Sequence, residues 1–300
     1  MVKAVKVFEN PEIWQIPVDL PQSPLKNLNS YVICTPEKNL VIDTGFNRAE
    51  CREALWAGIR EIGLDMGKTA LFLTHSHTDH IGLVQDFVDL GCTVYMGELD
   101  HLRFRTFLEG NVRAQMDALY CTEGFPEEEI ALQAQGNQNR RYMPTKFFPA
   151  TELHDGDKIM LGDVEAVCIH TPGHSAGSCS FIDPKRRILF SGDACNVSLR
   201  ITDCDVETAL EGLMRLKAQQ ADFDRNFNGH LAYASGVTHI SMPESTLDDC
   251  ICAMETILAG KAEPIVKFQS KWADWPMVAS YICGAVTVTY CPTKLRKGEA

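Results

Sequence analysis

Residues 74–83 read THSHTDHIGL and place three histidines and an aspartate within six positions. These side chains are His75, His77, Asp79 and His80. Residues two apart on a strand or an extended loop share one face, so His75 and His77 should point the same way. They follow the apolar run TALFLT (69–74). The order predicts that they emerge at the carboxyl end of a buried strand, where open α/β sheets hold their sites.

Two interpretations of this cluster differ in chemistry. In the first, a polar loop caps the next helix through Thr78 or Asp79 and leaves the imidazoles in solvent. In the second, the cluster binds metal, because four crowded ligand groups are unfavourable unless a cation holds them together. Neutral imidazole and carboxylate are ligands that zinc, iron and manganese accept. The second interpretation predicts further ligands after other strands, and the sequence offers His174 in IHTPGHSAGS, Asp193 after ILFSG and His230 in NGHLAY.

Strand and helix patterns alternate along the chain, which favours an α/β sheet protein. β-rich runs at 31–35 and 39–45 predict a hairpin, and the spacing over 48–62 predicts a helix that ends at Gly63. Helices are also predicted at 81–90, 206–219 and 244–258. Further strands are predicted at 69–74, 92–96, 158–162, 164–173, 178–183, 187–193 and 284–290. We interpret residues 1–300 as a single domain.

Residues 97–150 interrupt this alternation with charged, amide and aromatic side chains. The segment has helical patches but no core-sized apolar set, so we interpret it as a helical insertion that crosses the surface as a candidate lid. Its aromatic side chains, Phe104 among them, either line the mouth of a pocket or pack the insertion onto the sheets. Its arginines either meet a substrate carboxylate or are solvated.

Bulk composition argues against several classes of partner. The net charge is −12 without a basic run, which disfavours a nucleic-acid partner because such binding rests on neutralising phosphates. The polar first residues and the lack of a long apolar run predict neither export nor a membrane partner. Twelve scattered cysteines without a CxxC pair indicate reduced thiols in a cytoplasmic protein. A small-molecule substrate is expected, and a homodimer stays open.

Five motifs in order give the chain a family resemblance. HSHTDH matches the HxHxDH signature of the metallo-β-lactamase superfamily, and TPGHSAGS, SGD and NGH match its later motifs. VIDTG, which contains Asp43, matches the strand that precedes them. The resemblance implies an αββα four-layer sandwich, in which two mixed sheets pack face to face with helices outside and metals at one sheet edge. TPGHSAGS and the chain length look most like the glyoxalase II-like branch.

The resemblance also implies two divalent metal ions per chain, with zinc favoured over manganese or iron. The first ion would be bound by His75, His77 and His174. The second would be bound by Asp79, His80 and His230, and Asp193 would bridge the two. Asp79 would also transfer the proton in catalysis. Asp43 would orient ligand imidazoles through hydrogen bonds.

Such a centre implies hydrolysis, because paired divalent cations lower the pKa of a bound water towards neutrality and polarise a carbonyl. The resulting metal-bound hydroxide would cleave a thioester, lactone or ester of a small metabolite. Two alternatives stay open on the same fold: a di-iron oxygen or nitric oxide reductase-type protein, and a non-catalytic ligand sensor. The di-iron relatives usually have glutamate where this chain has His77, and they carry a flavin domain. The complete ligand set argues against a sensor.

Overall fold

The computed structural model describes residues 4–23, 25–110, 127–128, 131, 141–196, 198–201, 204–230, 245–263, 265–266, 279–290 and 295–297. The strands are β1 (Val5–Glu9), β2 (Glu12–Asp19), β3 (Asn27–Cys34), β4 (Asn39–Ile42), β5 (Thr69–Leu73), β6 (Thr93–Gly97), β7 (Thr151–Leu153), β8 (Lys158–Leu161), β9 (Val164–His170), β10 (Cys179–Asp183), β11 (Ile188–Gly192), β12 (Ser198–Ile201), β13 (Arg225–Asn228), β14 (Ile265–Val266), β15 (Ala279–Cys283) and β16 (Val286–Tyr290). The α-helices are α1 (Ala49–Ile62), α2 (Thr78–Ile81), α3 (Val84–Asp89), α4 (Glu98–Glu109), α5 (Val206–Ala218) and α6 (Ser245–Leu258).

These strands form three sheets. The first has the order β1-β2-β3-β4-β5-β6-β7, the second β13-β11-β10-β9-β8, and the third β12-β16-β15-β14. In the first sheet, β4, β5 and β6 run parallel to one another, whereas β1 to β4 are antiparallel. In the second sheet, β11 is parallel to β13. The carboxyl ends of β4, β5 and β6 therefore lie at one edge of the first sheet.

Aromatic side chains fill the space between the first two sheets. Phe72 on β5 contacts Phe181 on β10 with ring centroids 5.4 Å apart, and Tyr31 on β3 lies 5.4 Å from both Phe190 and Phe227. A second cluster joins the outer face of the first sheet to α1 and α3. A third joins the outer face of the second sheet to α5 and α6. The layers are helix, sheet, sheet and helix, so the predicted four-layer sandwich is confirmed.

Most predicted elements are confirmed with small changes at their ends, but one helix prediction is wrong. The sequence pattern predicted a single helix over 81–90, whereas α2 and α3 are separate. The carbonyl of His80 accepts hydrogen bonds from the backbone N–H and the hydroxyl of Thr44, and the Leu83 N–H donates to that hydroxyl. Gly82 allows this contact, because a Cβ there would collide with the Gly45 carbonyl oxygen. The loop after β4 thus interrupts the helix.

The segment 97–150 is only partly described. Its first part is α4, which confirms helical structure at Glu98–Glu109. Phe104 and Phe148 are fully buried in the outer cluster of the first sheet, so the idea that Phe104 lines a pocket mouth is wrong. Residues 111–126, 129–130 and 132–140 lie outside the described residues, and the lid stays a prediction. So does the single domain.

Two further expectations concern thiols and membranes. All ten cysteines in the described part of the chain are free thiols. The apolar, strand-like contexts of Cys34, Cys168 and Cys179 predict small core residues. Cys168 and Cys179 are indeed buried between the sheets, whereas Cys34 is only partly buried. Across the ranges that the structure describes, none of the helices has both the length and the hydropathy to cross a bilayer.

Removing the central aromatic side chain between the sheets should be costly. Phe181 is fully buried and contacts both Phe72 and Phe190. We expect Phe181→Ala to lower the free energy of unfolding by about 3–5 kcal/mol, because it removes apolar burial and leaves a cavity. Equilibrium urea unfolding measures the change. Met160→Ala is the control, since Met160 is 53% exposed and its loss should cost less than about 0.5 kcal/mol. Equal losses in the two variants would contradict this account of the core.

Candidate metal centre

The structure brings all seven predicted ligand residues together at one edge of the sandwich. The loop after β5 carries His75 and His77, and the short helix α2 that follows it carries Asp79 and His80. Asp193 directly follows β11, and His230 follows β13 on the neighbouring parallel strand. His174 lies in the turn between β9 and β10. Residues that are far apart in sequence meet because strands of both sheets end at this edge.

One group within this cluster consists of three imidazoles. His75, His77 and His174 each offer a nitrogen, and these nitrogens lie within 4.8 Å of one another. Nδ1 of His77 is 2.8 Å from Nε2 of His174. The three rings stand nearly perpendicular to one another, with centroids 4.5–4.8 Å apart. The nitrogens therefore surround one point from different directions.

A second group shares the same edge. Nε2 of His80 is 3.2 Å from Nε2 of His230, and the latter is 3.4 Å from Oδ2 of Asp79. Oδ2 of Asp193 lies between the two groups, 3.2 Å from Nε2 of His230, 3.7 Å from Nε2 of His80 and 3.4 Å from Nε2 of His174. Asp193 is thus placed to contact both groups at once.

Three of the imidazoles hold their Nδ1 protons away from the cluster. Nδ1 of His80 is 2.7 Å from Oδ2 of Asp43, that of His174 is 2.8 Å from the Arg200 carbonyl, and that of His230 is 2.7 Å from the Asn27 carbonyl. A carboxylate and a carbonyl can only accept, so each Nδ1 donates. In the neutral rings each Nε2 then carries a lone pair. Those of His80 and His230 face each other, that of His174 faces Nδ1 of His77, and all three face Oδ2 of Asp193.

Such an arrangement fits a divalent cation. Lone pairs of nitrogen and carboxylate oxygen that face each other without protons repel, and a bound cation removes the repulsion. Among the buried atoms without a hydrogen-bond partner are two that belong to the ligand residues, namely Nε2 of His75 and Oδ1 of Asp193. Buried polar atoms are normally paired, so orphaned atoms in a ligand cluster indicate a missing partner. Nitrogen and oxygen donors of this kind suit zinc, manganese or iron.

The local charges attract positive charge to the second group. Burial would lower the pKa of His80, but the carboxylates of Asp43 and Asp193 outweigh it and raise that pKa well above its usual value. Burial also opposes a charge on His230, whose pKa is nonetheless raised by Asp193 and Asp79. Conversely, burial would raise the pKa of Asp193, but His230 and His80 hold it well below its usual range. Without a metal, protons would take the place of a cation here.

His75 behaves in the opposite way. Burial, together with the three imidazoles around it, lowers its pKa well below the usual value. A neutral ring keeps the lone pair that a metal requires. Nδ1 of His75 lies 3.1 Å from the hydroxyl of Thr74, so its other nitrogen is the one that faces the cluster.

Asp43 holds this arrangement from behind. Its two carboxylate oxygens accept hydrogen bonds from the backbone N–H and the hydroxyl of Thr74, at 2.9 and 2.8 Å, in addition to Nδ1 of His80. Asp43 has a φ of +59°, a left-handed conformation that aspartate tolerates better than most residues. Its predicted orienting role has these contacts in support, and the participation of Thr74 was not predicted.

The capping interpretation of Thr78 and Asp79 is wrong. The residue at the N-terminal cap of α2 is His77, and no side chain caps this helix. His170, at the end of β9, bonds through Nε2 to the Ala176 carbonyl and lies outside the cluster. One buried carboxylate near the centre was missed: Asp100, in the first turn after β6. Its position at the end of the third parallel strand was the available signal.

Comparison with known proteins agrees with this geometry. The sequence model of the metallo-beta-lactamase superfamily matches residues 25–200. Human acyl-coenzyme A thioesterase MBLAC2 is 31% identical over 172 residues, which cover 55% of this chain and 57% of that protein. Hydroxyacylglutathione hydrolase GloC of Haemophilus influenzae is 27% identical over 168 residues, which cover 55% of this chain and 65% of that protein. The chain thus spans less than two thirds of the length of either relative.

Solved structures support the fold. A metallo-beta-lactamase family protein from Thermus thermophilus superposes with a TM-score of 0.67 at 23% identity. The superposition covers 83% of this chain and 81% of that one. At this identity the likeness concerns the fold alone.

Asp43→Asn tests the supporting contacts. An asparagine would place an NH2 group where a carboxylate oxygen now accepts a hydrogen bond. That group would face a donor of Thr74 or His80, so the contact with one of these two residues should be lost. We expect metal affinity to fall by about 10–100-fold, as is common when a partner of a ligand imidazole is changed. Competition for Zn²⁺ with a chromophoric chelator measures it. The control is Asp183→Asn, since Asp183 is buried and pairs with Arg186 away from the centre. Unchanged affinity in Asp43→Asn would refute the role.

Proposed function

The chain belongs to the metallo-beta-lactamase superfamily, and from this premise we propose that it is a metal-dependent hydrolase that cleaves the thioester of a small acylated metabolite. One observation carries the proposal. The Nε2 atoms of His80, His174 and His230 face Oδ2 of Asp193 at 3.2–3.7 Å, while the proton of each ring is on Nδ1. Without a metal, the facing lone pairs of such a cluster repel one another and cost free energy. The cluster therefore supports a centre that works with cations bound.

The proposed centre has two cation sites. The first site consists of His75, His77 and His174. The second consists of Asp79, His80 and His230, and Asp193 serves both. Zinc is our first choice, with manganese or iron as alternatives, because the same nitrogen and oxygen donors accept all three. When bound, divalent cations act as Lewis acids that activate water and polarise a carbonyl.

A residue of the chain must then transfer a proton to the leaving group. Hydrolysis joins a water oxygen to the acyl carbon and breaks the bond from that carbon to sulfur, and the departing sulfur must receive a proton. Asp79 is our candidate for that transfer. Its carboxylate is buried, and Oδ2 lies 3.4 Å from Nε2 of His230, which places Asp79 at the second site. If Asp79 held a cation through one carboxylate oxygen, the other oxygen would be free to take a proton and return it.

The choice of a thioester rests on the named relatives. The human relative is named an acyl-coenzyme A thioesterase, and the Haemophilus relative is named a hydroxyacylglutathione hydrolase. Both names describe removal of an acyl group from a thiol carrier. Lactone and ester hydrolysis use the same centre and remain outcomes of the test. The di-iron reductase alternative is less favoured, because His77 stands where such proteins usually have glutamate.

A metal count with a substrate panel tests the proposal. We expect about two Zn²⁺ ions per chain by elemental analysis of protein dialysed against the metal. The loaded protein should hydrolyse an acyl-coenzyme A or an acylglutathione faster than an N-acyl homoserine lactone, an aryl ester or a β-lactam. Loss of thioester absorbance follows the reaction without interference from the protein's thiols. No metal uptake would end the proposal, and a preference for lactone would correct the substrate class alone.

Asp79→Asn tests the proton transfer. The amide keeps the shape of the carboxylate but cannot accept and return a proton. We expect turnover of the thioester to fall by about 10²–10⁴-fold, while Zn²⁺ at the first site is retained. Steady-state kinetics and elemental analysis on the same sample measure both. His154→Gln is the control, because the side chain of His154 is 64% exposed and pairs with nearby acids. Full turnover in Asp79→Asn would show that another group moves the proton.

A further inference from the structure

A buried carboxylate joins the two loops that supply the first proposed cation site. Asp100 lies in the first turn of α4 and is completely buried. One of these loops contains His75 and His77, and the other contains His174. One backbone hydrogen bond joins the two loops directly, from the Cys179 N–H to the Thr74 carbonyl at 2.9 Å, but it lies outside the ligand residues. Contacts next to the ligand residues themselves come from Asp100.

Asp100 bonds to both loops. Its Oδ2 accepts hydrogen bonds from the Ser76 backbone N–H at 2.6 Å and from the Ser175 hydroxyl at 2.7 Å. Its Oδ1 accepts one from the Gly177 backbone N–H at 2.7 Å. Short hydrogen bonds to a charged acceptor are about twice as strong as neutral ones. Ser76 lies between two ligand histidines, and Ser175 is the neighbour of the third.

The backbone of the loop that carries His174 is in close contact with the backbone at the start of α4. A Cβ on Gly177 would collide with the Asp100 backbone nitrogen, so only glycine lets this loop rest on α4. A Cβ on Gly97 would likewise collide with the Gly177 carbonyl oxygen. The loop that carries His174 is therefore seated on the N-terminal turn of α4, with little freedom to shift.

Asp100 does not bond to the second site. His80 is held by Asp43, and His230 is held by the Asn27 carbonyl. The loops that Asp100 joins contribute His75, His77 and His174. We infer that Asp100 is a positioning residue for the first cation site, which sets the spacing of its three imidazoles and leaves the second site unaffected. The inference rests on the two-cation centre proposed above, and not on the identity of the substrate.

Asp100→Asn is a sharp substitution because its volume is unchanged. Whichever carboxylate oxygen becomes the NH2 group, it meets a backbone N–H, at Ser76 or at Gly177, and neither can become an acceptor. One loop must therefore move away from α4. The Ser175 hydroxyl can rotate, so the backbone contacts decide the effect.

Two background variants allow the metal affinity of each site to be measured alone. His230→Ala leaves only the first site intact, and His77→Ala leaves only the second. We expect Asp100→Asn to weaken Zn²⁺ binding by about 10–100-fold in the His230→Ala background, as changes around ligand groups do. In the His77→Ala background the change should stay within about twofold. Isothermal titration of metal-free protein with Zn²⁺ gives both affinities, and the visible spectrum of the Co²⁺ form reports the first site's geometry.

Controls keep the outcome decisive. Asp183→Asn also removes a buried carboxylate, so it matches the general loss of stability, and it should leave both affinities unchanged. Should Asp100→Asn fail to fold, Ser175→Ala removes one of the three bonds and should cost about tenfold at the first site only. Equal losses at both sites, or none at the first, would overturn the inference. If the unsubstituted chain takes up no Zn²⁺, the proposed centre falls with it, whereas metal uptake without thioester hydrolysis leaves the inference intact.

Discussion

The arrangement of the candidate metal centre depends on which nitrogen of three imidazoles carries the proton. Each of His80, His174 and His230 donates its Nδ1 proton to an acceptor outside the cluster, and each turns a bare Nε2 towards Asp193. The acceptors are a buried carboxylate and two backbone carbonyls, which cannot themselves donate. Electrostatic repulsion among the lone pairs then requires a positive charge at the centre. The rest of the sandwich supplies the rigid frame that holds these groups in contact.

That frame explains why the ligands come from such distant parts of the chain. Parallel strands of the first sheet end beside Asp43 and the histidine loop, and parallel strands of the second end beside Asp193 and His230. The aromatic layer between the sheets fixes one edge against the other, so the two halves of the centre meet at a constant distance. A buried carboxylate then adjusts each half: Asp43 behind the second group and Asp100 behind the first.

The sequence predicted the chemistry better than the path of the backbone. The ligand residues follow apolar runs with a regular pattern, and Gly63 ends α1 with the expected left-handed φ of +72°. The break between α2 and α3 could not be predicted, because it depends on the contact of Thr44 with His80. Strand β2 was missed since Pro17 interrupts its pattern. Pro17 is tolerated in the strand because β1 pairs with β2 only as far as Gln15. The missing N–H of Pro17 therefore removes no hydrogen bond to β1.

Anomalous diffraction at the zinc absorption edge tests most directly whether this cluster holds two cations. Crystals grown from Zn²⁺-loaded protein should give two strong peaks. One should lie about 2.0–2.2 Å from nitrogens of His75, His77 and His174, and the other at similar distances from ligand atoms of Asp79, His80 and His230, with Asp193 touching both. A map without peaks there, in which the Nε2 atoms bond to ordered waters or to Asp193, would contradict the account.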